Sequence, residues 1–180
     1  MDPAFRIEST RDIEVIEKVP YSERIQERNS FEAIEKGASL NPDATAISFI
    51  PNGEAINQPI EIPYKALIYK IRQCANMFHD LGIGPRDVVS YLLPNLPQTH
   101  FILWGAETAG IVNPINPLLE AATIRDICRA AKTRVLVALG DLPGTQIWQK
   151  ALAIRKEIPT LTHVIRVMGN PVADKDILDF

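Results

Sequence analysis

From Val88 to Ile124 the chain carries only two charged side chains, Glu107 and Glu120. A stretch this poor in charge does not suit a solvated surface. It predicts strands covered on both faces, the situation of a parallel sheet held between helices. Val88–Leu93 (VVSYLL), bounded by Asp87 and Pro94, is a short apolar run of that kind. The competing reading is a membrane span over Phe101–Leu119, where Glu107 is the sole charge. However, Gly105, Gly110, Asn113, Pro114, Asn116 and Pro117 interrupt it, and the two prolines remove amides that a lipid-embedded helix cannot replace. A helix leading into a buried strand explains the same residues, and no membrane span is expected.

Around this centre, strand-length and helix-length segments alternate. Ser30 is the expected N-cap of a helix over 31–40, stopped at Asn41-Pro42. A strand over 44–50 and a turn at 51–54 follow, with a short return strand at Ile60-Glu61-Ile62. Leu67, Ile71, Ala75, Phe78 and Leu81 recur at helical spacing, and Gly82 stands where a helix ends in a left-handed residue. Beyond 88–93 the pattern continues with a helix over 98–108, a strand at 111–115, a helical face from Ala121 to Ala131 and a strand at 134–139. A helix near 146–157 and a strand at 163–167 (HVIRV) close the series. The fold class expected is α/β, a mostly parallel sheet with helices on both faces that forms an incomplete part of a larger layer. Residues 1–30 hold 12 of the charged side chains and read as an arm with a short solvated helix near 11–18. Residues 31–170 are the α/β body, and 171–180 read as a connection leading elsewhere.

Composition excludes several classes of function. The net charge of −3 lacks the basic excess of a nucleic-acid footprint, and no nucleic-acid partner is expected. Cys74 and Cys128 lack any CxxC partner and read as reduced, buried small hydrophobes. Met1–Arg11 has no apolar segment of the secretory kind, which gives a cytoplasmic expectation.

The common catalytic signatures are absent. There is no GxxxxGK[ST] phosphate loop and no GxSxG elbow. Gly82-Ile83-Gly84 begins a GxGxxG, but Asp87 occupies the third glycine's place and the run follows a helix, so it reads as a helix end and a turn. Asp141-Leu142-Pro143-Gly144 matches DxxG and reads as a turn. His79, His100 and His163 have no partner at a metal-binding spacing, and Asp174 with Asp176 reads as a solvated turn. What remains is the loop Asn113-Pro114-Ile115-Asn116-Pro117, which follows a charge-poor strand. It either stiffens a crossover or lines a pocket at the strand ends, where α/β sheets bind ligands.

Six blocks carry a family resemblance. Asn41–Ile47 (NPDATAI), Pro63–Leu67 (PYKAL), Leu81–Val89 (LGIGPRDVV), Leu92–Asn95 (LLPN), Ala109–Pro117 (AGIVNPINP) and Arg134–Val137 (RVLV) stand in register over roughly residues 30–170. In order and spacing they resemble the AMP-forming acyl-CoA synthetases of the adenylate-forming superfamily, and Phe101–Glu120 looks most like the bacterial fatty-acyl-CoA synthetases. Arg86-Asp87 departs from the Gly-Asp frequent in that family. The resemblance implies a two-step ligase using ATP, CoA and magnesium. A carboxylate, expected to be a fatty acid, attacks the α-phosphorus of ATP to give an acyl-adenylate and pyrophosphate, and the CoA thiol then displaces AMP. The family's ATP loop, its adenine- and metal-binding motifs and its lysine-bearing C-terminal domain follow the region matched here. The 180 residues are therefore expected to be the N-terminal portion of such an enzyme, to bind none of these cofactors alone, to be inactive alone and to self-associate through an uncovered apolar face. By the same resemblance, Asn116, Pro117 and Gly140 are candidates for lining the CoA channel. Thr145 and Gln146 stand where acetyl-specific relatives place arginines. A self-contained α/β binding or regulatory module is the alternative reading. A nucleotide-dependent oxidoreductase is disfavoured by the incomplete GxGxxG.

Overall fold

The computed structural model describes residues 7–170, 174 and 176–180. Residues 1–6 of the expected arm, and 171–173 and 175 of the expected connection, lie outside the described residues.

The arm contains α1 (Thr10–Glu17), which buries no side chain, and a short α2 (Tyr21–Arg24) that no periodicity announced. Helix α3 (Ser30–Leu40) is capped by Asn29, whose side chain accepts from the Glu32 amide at 2.9 Å. The expected cap, Ser30, instead donates to Glu107 at 2.7 Å and ties the helix to the body. Asn is as good a cap as Ser, and the helix begins one residue earlier than expected.

Strand β1 (Thr45–Phe49) pairs antiparallel with β2 (Ile60–Pro63) and with no other strand. The two strands form a sheet of their own, apart from the main one. The side chains of β1 are only partly covered, whereas strands inside a parallel sheet are buried on both faces. Helix α4 (Tyr64–Asp80) turns Leu67, Ile71, Cys74 and Phe78 inward at helical spacing. It ends where expected, at Gly82 with φ +77°, a conformation that glycine adopts without steric cost. The Arg86-Asp87 departure needs no such freedom. Asp87 closes that turn by accepting from the Gly84 amide at 2.9 Å, and its carboxylate sits 3.2 Å from Arg134.

The main sheet is fully parallel, in the order β4 (Ile111–Pro114), β3 (Val88–Leu92), β5 (Thr133–Leu139), β6 (His163–Val167), β7 (Ile177–Asp179). Every residue of β3 is buried, as the charge-poor run predicts. Helix α5 (Pro97–Ala109) links β3 to β4 and packs on α4, while α6 (Ala121–Ala130) and α7 (Ile147–Ile154) pack on each other and on β5. Right-handed crossovers running in opposite directions from β3 put these two helix pairs on opposite faces. Within 171–180, Ile177 and Leu178 pair with Val164 and Ile165, so the described part of the expected connection adds a fifth strand.

Among the described residues, the central strands β3, β5 and β6 are buried almost throughout, whereas the edge strand β4 is only partly covered. Exposed apolar side chains lie on the arm (Ile13, Val19, Tyr21), on the β1–β2 hairpin (Ile56, Ile60) and at the sheet edge (Ile111). Among the described residues, no helix is long and apolar enough to cross a membrane.

Candidate ligand cleft at the strand ends

The strand order places a crevice. From β3 the chain runs to β4 on one side and then returns to β5 on the other. The connections leaving β3 and β5 therefore diverge at their carboxyl ends, where ligands bind in open α/β sheets. A cleft of about 540 Å³ lies at this point. Leu93 and Pro94 enter it from the end of β3, Asn116 and Pro117 from the loop after β4, and Thr145 and Lys150 from the segment after β5.

Each wall has a local cause. Thr99 Oγ1 donates to the Pro94 carbonyl at 2.6 Å and fixes the entry to α5. Ile115 is buried and its amide donates to Tyr91 O at 3.1 Å, which extends the β3–β4 pairing one step into the loop. Asn116 Oδ1 then accepts from the Leu118 amide at 3.0 Å, an Asx turn that bends the chain over the cleft. Lys150 Nζ donates to Leu119 O at 2.8 Å and Pro117 O at 3.3 Å. Among the described residues it is the only charged side chain lining the cleft, so the remaining described surface offers apolar groups, short polar side chains and backbone.

Of the residues singled out in the sequence, Asn116 and Pro117 reach this cleft and Gly140 does not. Gly140 sits where β5 and β6 end together, its amide donating to Val167 O at 2.8 Å. A Cβ there would lie 2.0 Å from the Met168 carbonyl oxygen, so only glycine allows the two strand ends to approach. Asn113, from the same candidate loop, turns back into the sheet and donates to Ser90. Lys150 escaped sequence reasoning, although a signal existed: it is the lone charge between Leu142 and Ile154, on a helix otherwise buried through Ile147, Trp148 and Ala151.

The other candidates occupy structural positions. His79 Nδ1 donates to Ile83 O at 3.0 Å, and a ring nitrogen of His163 lies 3.1 Å from Thr162 Oγ1. His100 stands apart from both, in the first turn of α5. Asp141 accepts from Gln149 at 2.7 Å beside a turn closed by the Thr145 amide on Leu142 O. Asp174 pairs with Arg155 at 2.7 Å, and its carboxyl titrates below the ordinary range, first because it accepts from the Asp176 amide. Burial pushes the Cys74 thiol up to about 12 and raises that of Cys128 as well, so neither is a poised nucleophile. Among the described residues, no three His, Cys, Asp or Glu side chains gather as a metal site.

Comparisons with known proteins bear on the family and the fold. The model of the family described as AMP-binding enzyme matches residues 34–180. A marinolic acid–CoA ligase of Pseudoalteromonas sp. (strain SANK 73390) is 35% identical over 168 residues, covering 93% of this chain and 26% of that protein. The acetoacetyl-CoA synthetase of Streptomyces lividans superposes with a TM-score of 0.72 at 25% identity, covering 84% of this chain and 24% of that one. An anthranilate CoA ligase solved with anthranoyl-AMP superposes with a TM-score of 0.73 at 20% identity, over 89% of this chain and 28% of that one, a likeness of fold. The chain thus spans about a quarter of the length of these relatives.

Proposed function

This chain belongs to the AMP-binding enzyme family, with adenylate-forming CoA ligases as its relatives, and from that premise we propose that it builds one wall of the passage by which CoA reaches an acyl-adenylate. The observation that carries this reading is the cleft at the diverging ends of β3 and β5, with Asn116 and Pro117 in its wall. Its chemistry suits the pantetheine arm of CoA, a chain of methylenes and amides. Apolar walls take the methylenes, while exposed backbone and the Thr145 hydroxyl take the amides. When bound, CoA supplies the thiol that displaces AMP. Gly140 serves the passage indirectly, by letting β5 and β6 close at their ends.

We assign no catalytic residue to this chain. Among the described residues no three His, Cys, Asp or Glu side chains gather as a metal site, and no step of adenylation is routed through them. The whole reaction, with a fatty acid as its carboxylate, magnesium as its ion and the cytoplasm as its compartment, belongs to the same proposal.

Two measurements test it. The 180 residues alone are expected to show no ATP–pyrophosphate exchange with any fatty acid; robust exchange overturns the assignment of the reacting groups to other segments. In the full chain as encoded, Thr145→Trp, which fills the cleft, is expected to raise KM for CoA at least tenfold. An unchanged KM for CoA removes the cleft from the thiol's path.

A further inference from the structure

We infer that Lys150 is a positioning residue: its ammonium latches the loop 115–119 across the strand-order reversal and so sets the shape of the cleft. The ligand admitted to the cleft rests on the proposed function above, whereas the latch stands on geometry alone.

Strand β4 is a four-residue edge strand, and the loop that follows it is held at its start by the buried Ile115, whose amide donates to Tyr91 O. Within the loop, the Leu118 amide is taken by Asn116 Oδ1 and the Leu119 amide by Asn116 O. Among the described residues no backbone amide donates to the carbonyls of Pro117 and Leu119, and Lys150 Nζ donates to both. Among the described residues, these are the only hydrogen bonds joining the loop to the segment 140–154. Leu118, between the two held carbonyls, is 82% exposed and adds no apolar anchor of its own, while Leu119 packs against the core. An ammonium suits the task because it carries three donors and can hold two divergent carbonyls at once. Spent on backbone, the charge shapes the wall.

The test uses the full chain as encoded and amide hydrogen exchange. K150M keeps the aliphatic stem and removes both donations; residues 115–120 are expected to exchange at least tenfold faster, with β5 still protected. K150R, which retains donors, is expected to restore most of the protection. Unchanged exchange in K150M overturns the latch. In the unmutated protein, the Lys150 ammonium protons are expected to exchange more slowly than those of exposed lysines; equal rates also overturn it, whatever happens to K150M. K150M is further expected to raise KM for CoA more than it lowers kcat. A faster-exchanging loop with KM for CoA unmoved confirms the latch and overturns the proposed ligand.

Discussion

Ser90 Oγ and Thr133 Oγ1 lie 2.6 Å apart on neighbouring strands, both side chains fully buried, and Asn113 Nδ2 donates to the same serine oxygen at 2.9 Å. This polar row crosses β4, β3 and β5 inside an otherwise apolar sheet and pins their relative register. Ser90→Ala leaves both partners short of a bond and is expected to cost about 1–3 kcal/mol in urea unfolding. The double variant Ser90→Ala with Thr133→Val removes the pair together and should cost less than the sum of the single changes. Strict additivity would show that the row is not one coupled unit.

Helices α4 and α5 cross so closely at Gly105 that a Cβ there would stand 2.3 Å from Cys74 Cβ. Gly105→Ala must therefore separate the helices, at an expected cost of at least about 1–3 kcal/mol. Cys74→Ser keeps the Cβ and should give no relief when combined with it. A thermal midpoint unmoved by Gly105→Ala would refute the close crossing.

Burial lifts the Cys74 thiol from 9.0 to about 12, and the sign of its linkage follows. Between those values the unfolded chain has lost the thiol proton and the folded chain retains it. Unfolding then releases a proton, and stability falls as pH rises from about 9 to about 12. Urea midpoints across this range are expected to decline less in Cys74→Ala than in the unmutated chain. At pH 8, native Cys74 should resist a thiol reagent that labels it readily in urea.

Arg166 is 2% exposed and pairs with Asp179, which is 59% exposed. The guanidinium also donates to the Asn170 carbonyl and lies 5.8 Å from the Trp148 ring centre. The two partners are therefore unequal. Arg166→Met leaves a carboxylate that water can solvate, whereas Asp179→Asn leaves a buried cation without its counter-charge. The asparagine variant should be the less stable by about 1 kcal/mol or more, since an unpaired buried charge dominates such comparisons. The reverse order in denaturant titrations would count against the pairing as the main support of Arg166.

Much of this was legible in the sequence because it depends on local pattern. The burial of β3 follows from VVSYLL, and α4 from apolar residues at spacings of three and four. Asn116 and Pro117 were selected for following a charge-poor strand, and the cleft includes them. Gly140 is a candidate by the family resemblance alone and answers to a different constraint. Its lack of a side chain serves the approach of Met168, a residue 28 positions away. Lys150 went unnoticed because its partners, Pro117 and Leu119, are brought to it only by folding. Asn29 and Ser30 are both good caps, and local chemistry alone did not choose between them.

What the order of amino acids determined on its own was the alternation of strand and helix, the burial of the sheet and the family to which its motifs point. These depend on side-chain period and charge within a few residues of each position. Tertiary structure alone decided that β1 lies outside the main sheet, that Ile177–Asp179 joins it, and that the strand order turns back after β4 to place β5 on the other side of β3. Such outcomes turn on which distant backbone edges find each other, a competition among long-range pairings that no short window of sequence encodes.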